Sequence, residues 1–271
     1  MGMTPRFLQV NGRSLYCAHF FNPHVQPRFR VLIAPPFAEE LNKCRRLLAL
    51  VARRLADQGC EVLFPDLFGT GDSAGDFSEA RWRIWAEDWA ALDEWFMRNS
   101  AAPRPAYLCV RSGVLLLAAA RGRLHDFGRA RIVLWQPVLE CDRFLRAFLR
   151  LRTVSDRLAG RAESRRDLDD HLGSGHAVEI AGYELAAEMV AEMTELKLKA
   201  SDLAGCAEIR VMEFRSNPNP VMSPTTSEFI DALQREHTEV IGAAIECEQF
   251  WATRDVVSPS AALSATMLAL A

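Results

Sequence analysis

The tightest constraint on this chain is a five-residue turn. Between the strand-like stretch PAYLCV and the helix-like stretch VLLLAAARGRL lie Cys109-Val110-Arg111-Ser112-Gly113. A backbone that passes so abruptly from strand to helix tolerates only small side chains two places either side of the central residue, and Cys109 and Gly113 meet that demand. The central residue is Arg111. Arginine keeps its proton in proteins and cannot attack a carbonyl, so this turn displays a fixed cation rather than a nucleophile.

The rest of the chain alternates strands with helices around that turn. FLQV and SLYCAHFF flank Asn11-Gly12, the dipeptide of a tight two-residue hairpin. A buried strand follows over Val31 to Ala34, then a helix over Asn42 to Gln58 with Leu47, Leu48, Val51 and Leu55 at helical spacing and Gly59 as its stop. CEVLFPDL reads as the next strand. Trp82, Trp85, Trp89, Leu92 and Phe96 predict a helix over Ser78 to Met97 whose aromatic stripe packs on a sheet. After RIVLWQPV the alternation breaks from about 140 to 205. It resumes with the strand IRVMEF, a helix through Phe229 and Leu233, the strand VIGAAIEC and a last helix over SAALSATMLALA. Such alternation predicts a mostly parallel sheet covered on both faces, with the opening hairpin as an antiparallel edge.

Composition narrows the setting. The 271 residues carry a net charge of −3, which gives no general attraction to nucleic acid. Seven cysteines, with no C-x-x-C pair and an odd total, point to reduced thiols rather than a disulfide framework or a zinc site. The first residues lack the apolar run of a secretory leader, and Val114 to Ala120 is too short to cross a bilayer. A cytoplasmic protein is expected.

A second loop sharpens the reading. Asp66-Leu67-Phe68-Gly69-Thr70-Gly71-Asp72-Ser73 follows the second parallel strand and is similar to the D-x-x-G-x-G-x-S segment of esterases and acyltransferases of the α/β-hydrolase superfamily. With the turn at Arg111 and the order of elements, the chain resembles that superfamily. More narrowly, Pro35-Pro36-Phe37-Ala38-Glu39-Glu40-Leu41-Asn42-Lys43, DLFGTGDSAGDF, LWQPVL, AGYEL at 181–185 and Phe250-Trp251 resemble the second type of exosortase A system-associated hydrolase. These proteins occur in bacteria beside exopolysaccharide and PEP-CTERM sorting genes, which implies a cytoplasmic role tied to that system. The resemblance implies an α/β-hydrolase core over 1–139 and 206–271 and a helical cap inserted over 140–205.

The resemblance also says where catalytic groups belong. Arg111 fills the nucleophile position, and Ser112 beside it points along the helix start. The histidine belongs just after the last strand, where Ile245 to Trp251 holds none and Gln249 occupies the region. The six histidines are His19, His24, His125, His171, His176 and His237. Glu213, or the loop from Asn217 to Pro220, supplies the acid position. The oxyanion loop is PPFAEE, in which the main chain of Phe37, with that of Ser112, offers donors while Glu39 and Glu40 oppose a developing negative charge.

Arg111, Ser112, Glu213 and Gln249 are therefore the residues at or beside triad positions. Phe37, Glu39, Glu40, Asn42, Asp72 and Arg111 are the candidate binding set, with Glu39, Glu40 or Asp72 expected to pair with Arg111. No histidine-carboxylate cluster has metal-ligand spacing, and neither metal nor cofactor is expected.

The segment from Arg143 to Arg166 holds eight arginines against Asp156 and Glu163. Phe144, Leu145, Phe148 and Leu149 give it an apolar face expected to rest on the core rather than on a membrane. The leading expectation is a hydrolase-like protein without a Ser-His-Asp triad that binds an anionic or acyl-bearing small molecule, or a partner of the polysaccharide and sorting system. An esterase or acyl hydrolase using Ser112 or an unorthodox acid-base set, and a non-catalytic interaction subunit, are the alternatives.

Overall fold

The computed structural model describes residues 2–158, 165–236 and 239–270. Its frame is one eight-stranded sheet. Strands β1 (Gly2–Val10) and β2 (Arg13–Phe21) form the hairpin, turning at Asn11 and Gly12 with φ of 48° and 78°. The parallel strands are β3 (Phe29–Ala34), β4 (Cys60–Pro65), β5 (Arg104–Val110), β6 (Arg131–Trp135), β9 (Glu208–Arg215) and β10 (Val240–Glu246). The sheet order is β1-β2-β4-β3-β5-β6-β9-β10, with only β1 and β2 antiparallel to their neighbours. Chain direction across the sheet reverses at the β3/β5 pair, and ligands of open α/β sheets collect outside the strand ends at such a point.

The helices cover both faces because the central strands are apolar on both. Val31 and Ile33 of β3 point to the side held by α1 (Glu39–Asp57) and α8 (Ser260–Ala269). Leu32 and Ala34 point to the side held by α2 (Trp82–Asn99) and α3 (Gly113–Ala120), where α7 (Pro224–Glu236) also packs. Trp89, fully buried, donates its indole N–H to the Ile33 carbonyl at 3.1 Å, so the aromatic stripe of α2 is core.

Several helix bounds differ from the sequence expectation, and α1 already starts at Glu39 rather than Asn42. The tryptophan-rich helix begins at Trp82 rather than Ser78, because Asp76 and Glu79 close a separate short turn and Ala80 and Arg81 are extended. The helix after the Arg111 turn ends at Ala120 rather than running through Leu124. There Arg121 turns aside to donate to the Ala204 carbonyl, and Gly122 offers no side chain to hold another turn.

Between β6 and β9 the chain leaves the sheet. It forms α4 (Cys141–Leu158), α5 (Arg165–Gly173), a small hairpin of β7 (Val178–Ile180) and β8 (Tyr183–Leu185), and α6 (Ala187–Thr194). AGYEL is the turn and second strand of that hairpin, with Ala181 and Gly182 at φ of 51° and 84°. On α4, Phe144, Leu145, Phe148 and Leu149 are buried while Arg143, Arg146 and Arg150 face outward. Arg157, Arg161 and Arg165 lie outside the residues whose side chains are described, and among the described residues no helix is long and apolar enough to cross a membrane.

Candidate functional site

The carboxyl ends of β3, β4 and β5 bring three loops together. After β5 the turn closes as its small residues require. Arg111 sits at φ 55°, a left-handed conformation that costs an ordinary side chain on the order of 1 kcal/mol or more. Gly113 packs so closely on β3 that a Cβ there would stand 2.1 Å from the Ala34 carbonyl oxygen. Helix α3 can start where it does only because that side chain is missing.

All three nitrogens of the Arg111 guanidinium donate hydrogen bonds. Nε donates to both Glu40 carboxylate oxygens at 3.2 Å, one terminal nitrogen donates to Glu40 Oε1 at 3.0 Å, and the other donates to the Gln136 carbonyl at 3.1 Å. Trp251 and Phe144 lie against it, with ring centroids 4.9 and 5.9 Å from the guanidinium carbon. Burial pushes the Glu40 carboxyl up, while the charge and hydrogen bonds of Arg111 pull it part of the way back. Of the three carboxylates expected near Arg111, Glu40 is the partner. Glu39 turns instead to Lys43 and the Asn42 amide, and Asp72 stands in the glycine-rich loop.

That loop is built around Asp66. Its buried carboxylate accepts from Arg45 at 2.6 Å and from the Asp72 main-chain N–H at 3.0 Å, while Ser73 donates to the Asp66 carbonyl. Gly71 makes this possible, because a Cβ at its φ of 55° would lie 1.9 Å from Asp66 Oδ2. Beside the loop opens a cleft of about 320 Å³ with Pro36, Leu41, Leu67 and Trp85 among its apolar walls. Asn42, Arg45, Asp72 and Tyr183 supply polar groups, and Arg111 is not part of its lining. Asp66 falls within the glycine-rich motif, but the roles of Arg45 and Tyr183 have no signature in the sequence, since helix and cap meet there only in three dimensions.

The remaining sequence candidates fall as follows. The Phe37 ring is core, edge-on to Phe148 and Phe144 of α4 at 5.4 and 6.1 Å. The main-chain amides of Phe37 and Ser112 have no acceptor among the described residues, whereas the Ser112 side chain is buried. Glu213 is buried and accepts from Arg215, from the Ser223 main chain at 2.9 Å and from the Ser223 hydroxyl. Burial works against its charge, but these hydrogen bonds prevail and hold its carboxyl below the ordinary value. Gln249 is exposed in the turn after β10.

His19 is on β2, where it accepts from Arg6 and is pushed down to about 4 by burial and then by the Arg6 charge. His171 and His176 face each other in the cap, and His237 lies outside the described residues. No described group of three or more histidine, cysteine, aspartate or glutamate side chains is placed to hold a metal ion.

Comparison with solved structures identifies the frame. The ferulic acid-bound Est1E of Butyrivibrio proteoclasticus superposes with a TM-score of 0.63 at 12% identity, covering 98% of this chain and 96% of that one. The Pyrococcus furiosus esterase Pf2001 gives 0.62 at 13%, over 99% and 90%. The α/β hydrolase GrgF of Penicillium sp. sh18 gives 0.61 at 15%, over 100% and 98%. The chain has the α/β-hydrolase fold. No family model matches the sequence, and no curated protein matches it either. Within the α/β-hydrolase fold, the turn after β5 is the nucleophile elbow and the loop after β3 supplies an oxyanion donor. Arg111 lies in the strand-to-helix turn after β5, with Ser112 next to it, and Phe37 lies in the loop after β3.

Proposed function

We propose that this protein uses the α/β-hydrolase fold for binding rather than for Ser-His-Asp hydrolysis, in the cytoplasm, beside the exosortase A and exopolysaccharide system that its sequence resembles. The observation that carries the reading is Arg111 at the elbow, held through all three guanidinium nitrogens by Glu40 and Gln136. A side chain so held is neither a nucleophile nor a general base. The Ser112 hydroxyl is buried, and no described histidine bonds to it. Seven buried free cysteines support a reducing compartment.

The ligand site is better supported beside Arg111 than on it. An anion would have to displace Glu40 from a guanidinium it already neutralises. The adjoining cleft is open and already polar.

An esterase that uses Ser112 is the second reading, and the acceptor-free amides of Phe37 and Ser112 favour it. Hydrolysis of short p-nitrophenyl esters separates the two. The binding reading expects no hydrolysis beyond buffer from the protein or from Arg111→Ser, because a new hydroxyl still lacks a base. Turnover by the parent that Ser112→Ala abolishes would establish the esterase.

A further inference from the structure

We infer that the cleft between α1, the glycine-rich loop and the cap hairpin binds a neutral, polyhydroxylated ligand of the size of one or two sugar rings. The inference does not depend on what happens at Arg111, which is not part of the cleft lining.

Charge decides the class. Arg45 gives one terminal nitrogen to the buried Asp66, and its other guanidinium nitrogens have no hydrogen-bond partner among the described residues. Asp72 keeps its carboxylate at the mouth with no side-chain partner among the described residues; only its main-chain N–H is used, by Asp66. A cation and an anion thus share one cleft, with the cation already balanced by Asp66. An anionic ligand meets the uncompensated charge of Asp72, and a cationic group has no acceptor to offer the free Arg45 N–H donors.

A hydroxyl suits both, because it donates and accepts at once. Neighbouring hydroxyls can donate to Asp72 and accept from Arg45 together. The Tyr183 hydroxyl and the Asn42 amide beside it add further groups of mixed character. Pro36, Leu41, Leu67 and Trp85 line the same cleft and offer apolar surface to the C–H face of a ring.

The walls are fixed in advance of binding. Asp66 is held by Arg45 and the Asp72 amide, Trp85 donates its indole N–H to the Phe68 carbonyl at 2.8 Å, and Tyr183 packs on Phe77 with ring centroids 4.8 Å apart. Little ordering is left to oppose association.

The test is titration of the full chain, followed by NMR chemical shifts or calorimetry, with glucose, galactose and N-acetylglucosamine. Glucuronate and glucosamine serve as charged counterparts and octanoate as an acyl probe. Saturable binding of at least one neutral sugar is expected, with glucuronate about tenfold weaker or worse, a loss of roughly one charged contact. Asp72→Asn and Tyr183→Phe should each weaken the sugar several-fold without lowering the unfolding midpoint. No saturable sugar binding up to tens of millimolar overturns the inference. So does a preference for glucuronate, glucosamine or octanoate, or sugar binding that survives both substitutions. Because no hydrolysis is measured, failure here leaves the reading of the elbow untouched, and an active esterase would leave this result untouched.

Discussion

Arg111 and Glu40 are joined by three N–H···O contacts of 3.0 to 3.2 Å across the carboxyl end of the sheet, between the elbow and the first turn of α1. Their side chains are 18% and 14% exposed, so each charge depends on the other. Removing Arg111 leaves Glu40 with a carboxylate that burial already disfavours. Arg111→Ala should therefore lose about 3 kcal/mol in urea unfolding. Arg111→Met with Glu40→Gln should lose clearly less than the two single changes added together. Additive losses would mean that the pair is not coupled.

The glycine-rich loop gives an internal control for backbone effects. Gly71 and Gly182 both have positive φ, but a Cβ at Gly71 strikes Asp66 whereas one at Gly182 meets nothing within 4 Å. Gly182→Ala should cost about 1 kcal/mol for conformation alone. Gly71→Ala should cost at least about twice that, since the Asp66–Arg45 and Asp66–Asp72 bonds must also yield. Equal losses in thermal unfolding would remove Asp66 from the account of this loop.

A pH dependence follows from Asp93, on the buried face of α2. Burial raises its carboxyl to about 6, although the Tyr107 hydroxyl donates to it at 3.0 Å and the charge of Arg30 also lowers it. A raised folded value favours the protonated form in the native state. Its contribution is therefore fully present below the unfolded value near 4 and is lost as pH rises through about 6. On the order of 3 kcal/mol is at stake across that window. Asp93→Asn should flatten this part of the stability profile, and a slope unchanged by the substitution would contradict the assignment.

Helix α4 should not bring the protein to membranes. Its apolar face is spent on Phe37 and the core, and Arg146 is paired with Asp142. Only screened surface attraction remains, over about 8 Å at physiological ionic strength. Vesicles with anionic lipid should hold the protein weakly and release it in salt. Retention in high salt that Phe148→Glu abolishes in a still folded protein would assign the helix a membrane role.

Most of the frame was legible because periodicity and turn chemistry are local. Asn11-Gly12, the Gly59 stop, the aromatic stripe of α2 and the small residues around Arg111 each carry their geometry with them. The misplaced start of α2 has a different cause: Asp76 and Glu79 bind each other instead of continuing the helix, a competition that the spacing of tryptophans does not reveal.

The site was legible only in part. Arg111 was marked by its motif, but its partner among Glu39, Glu40 and Asp72 depends on which side of α1 faces β5. Tyr183 and Trp251 reach the region from segments far along the chain, where no sequence spacing records the approach.

The central claim is that the elbow holds no activated nucleophile, and a serine-directed fluorophosphonate tests it most directly. Incubation of the purified protein at neutral pH, followed by peptide mass spectrometry, should find Ser112 unmodified under conditions that label a working serine hydrolase to completion. Stoichiometric labelling of Ser112 would contradict the account, for it would show an activated hydroxyl beside Arg111 and a base able to take its proton.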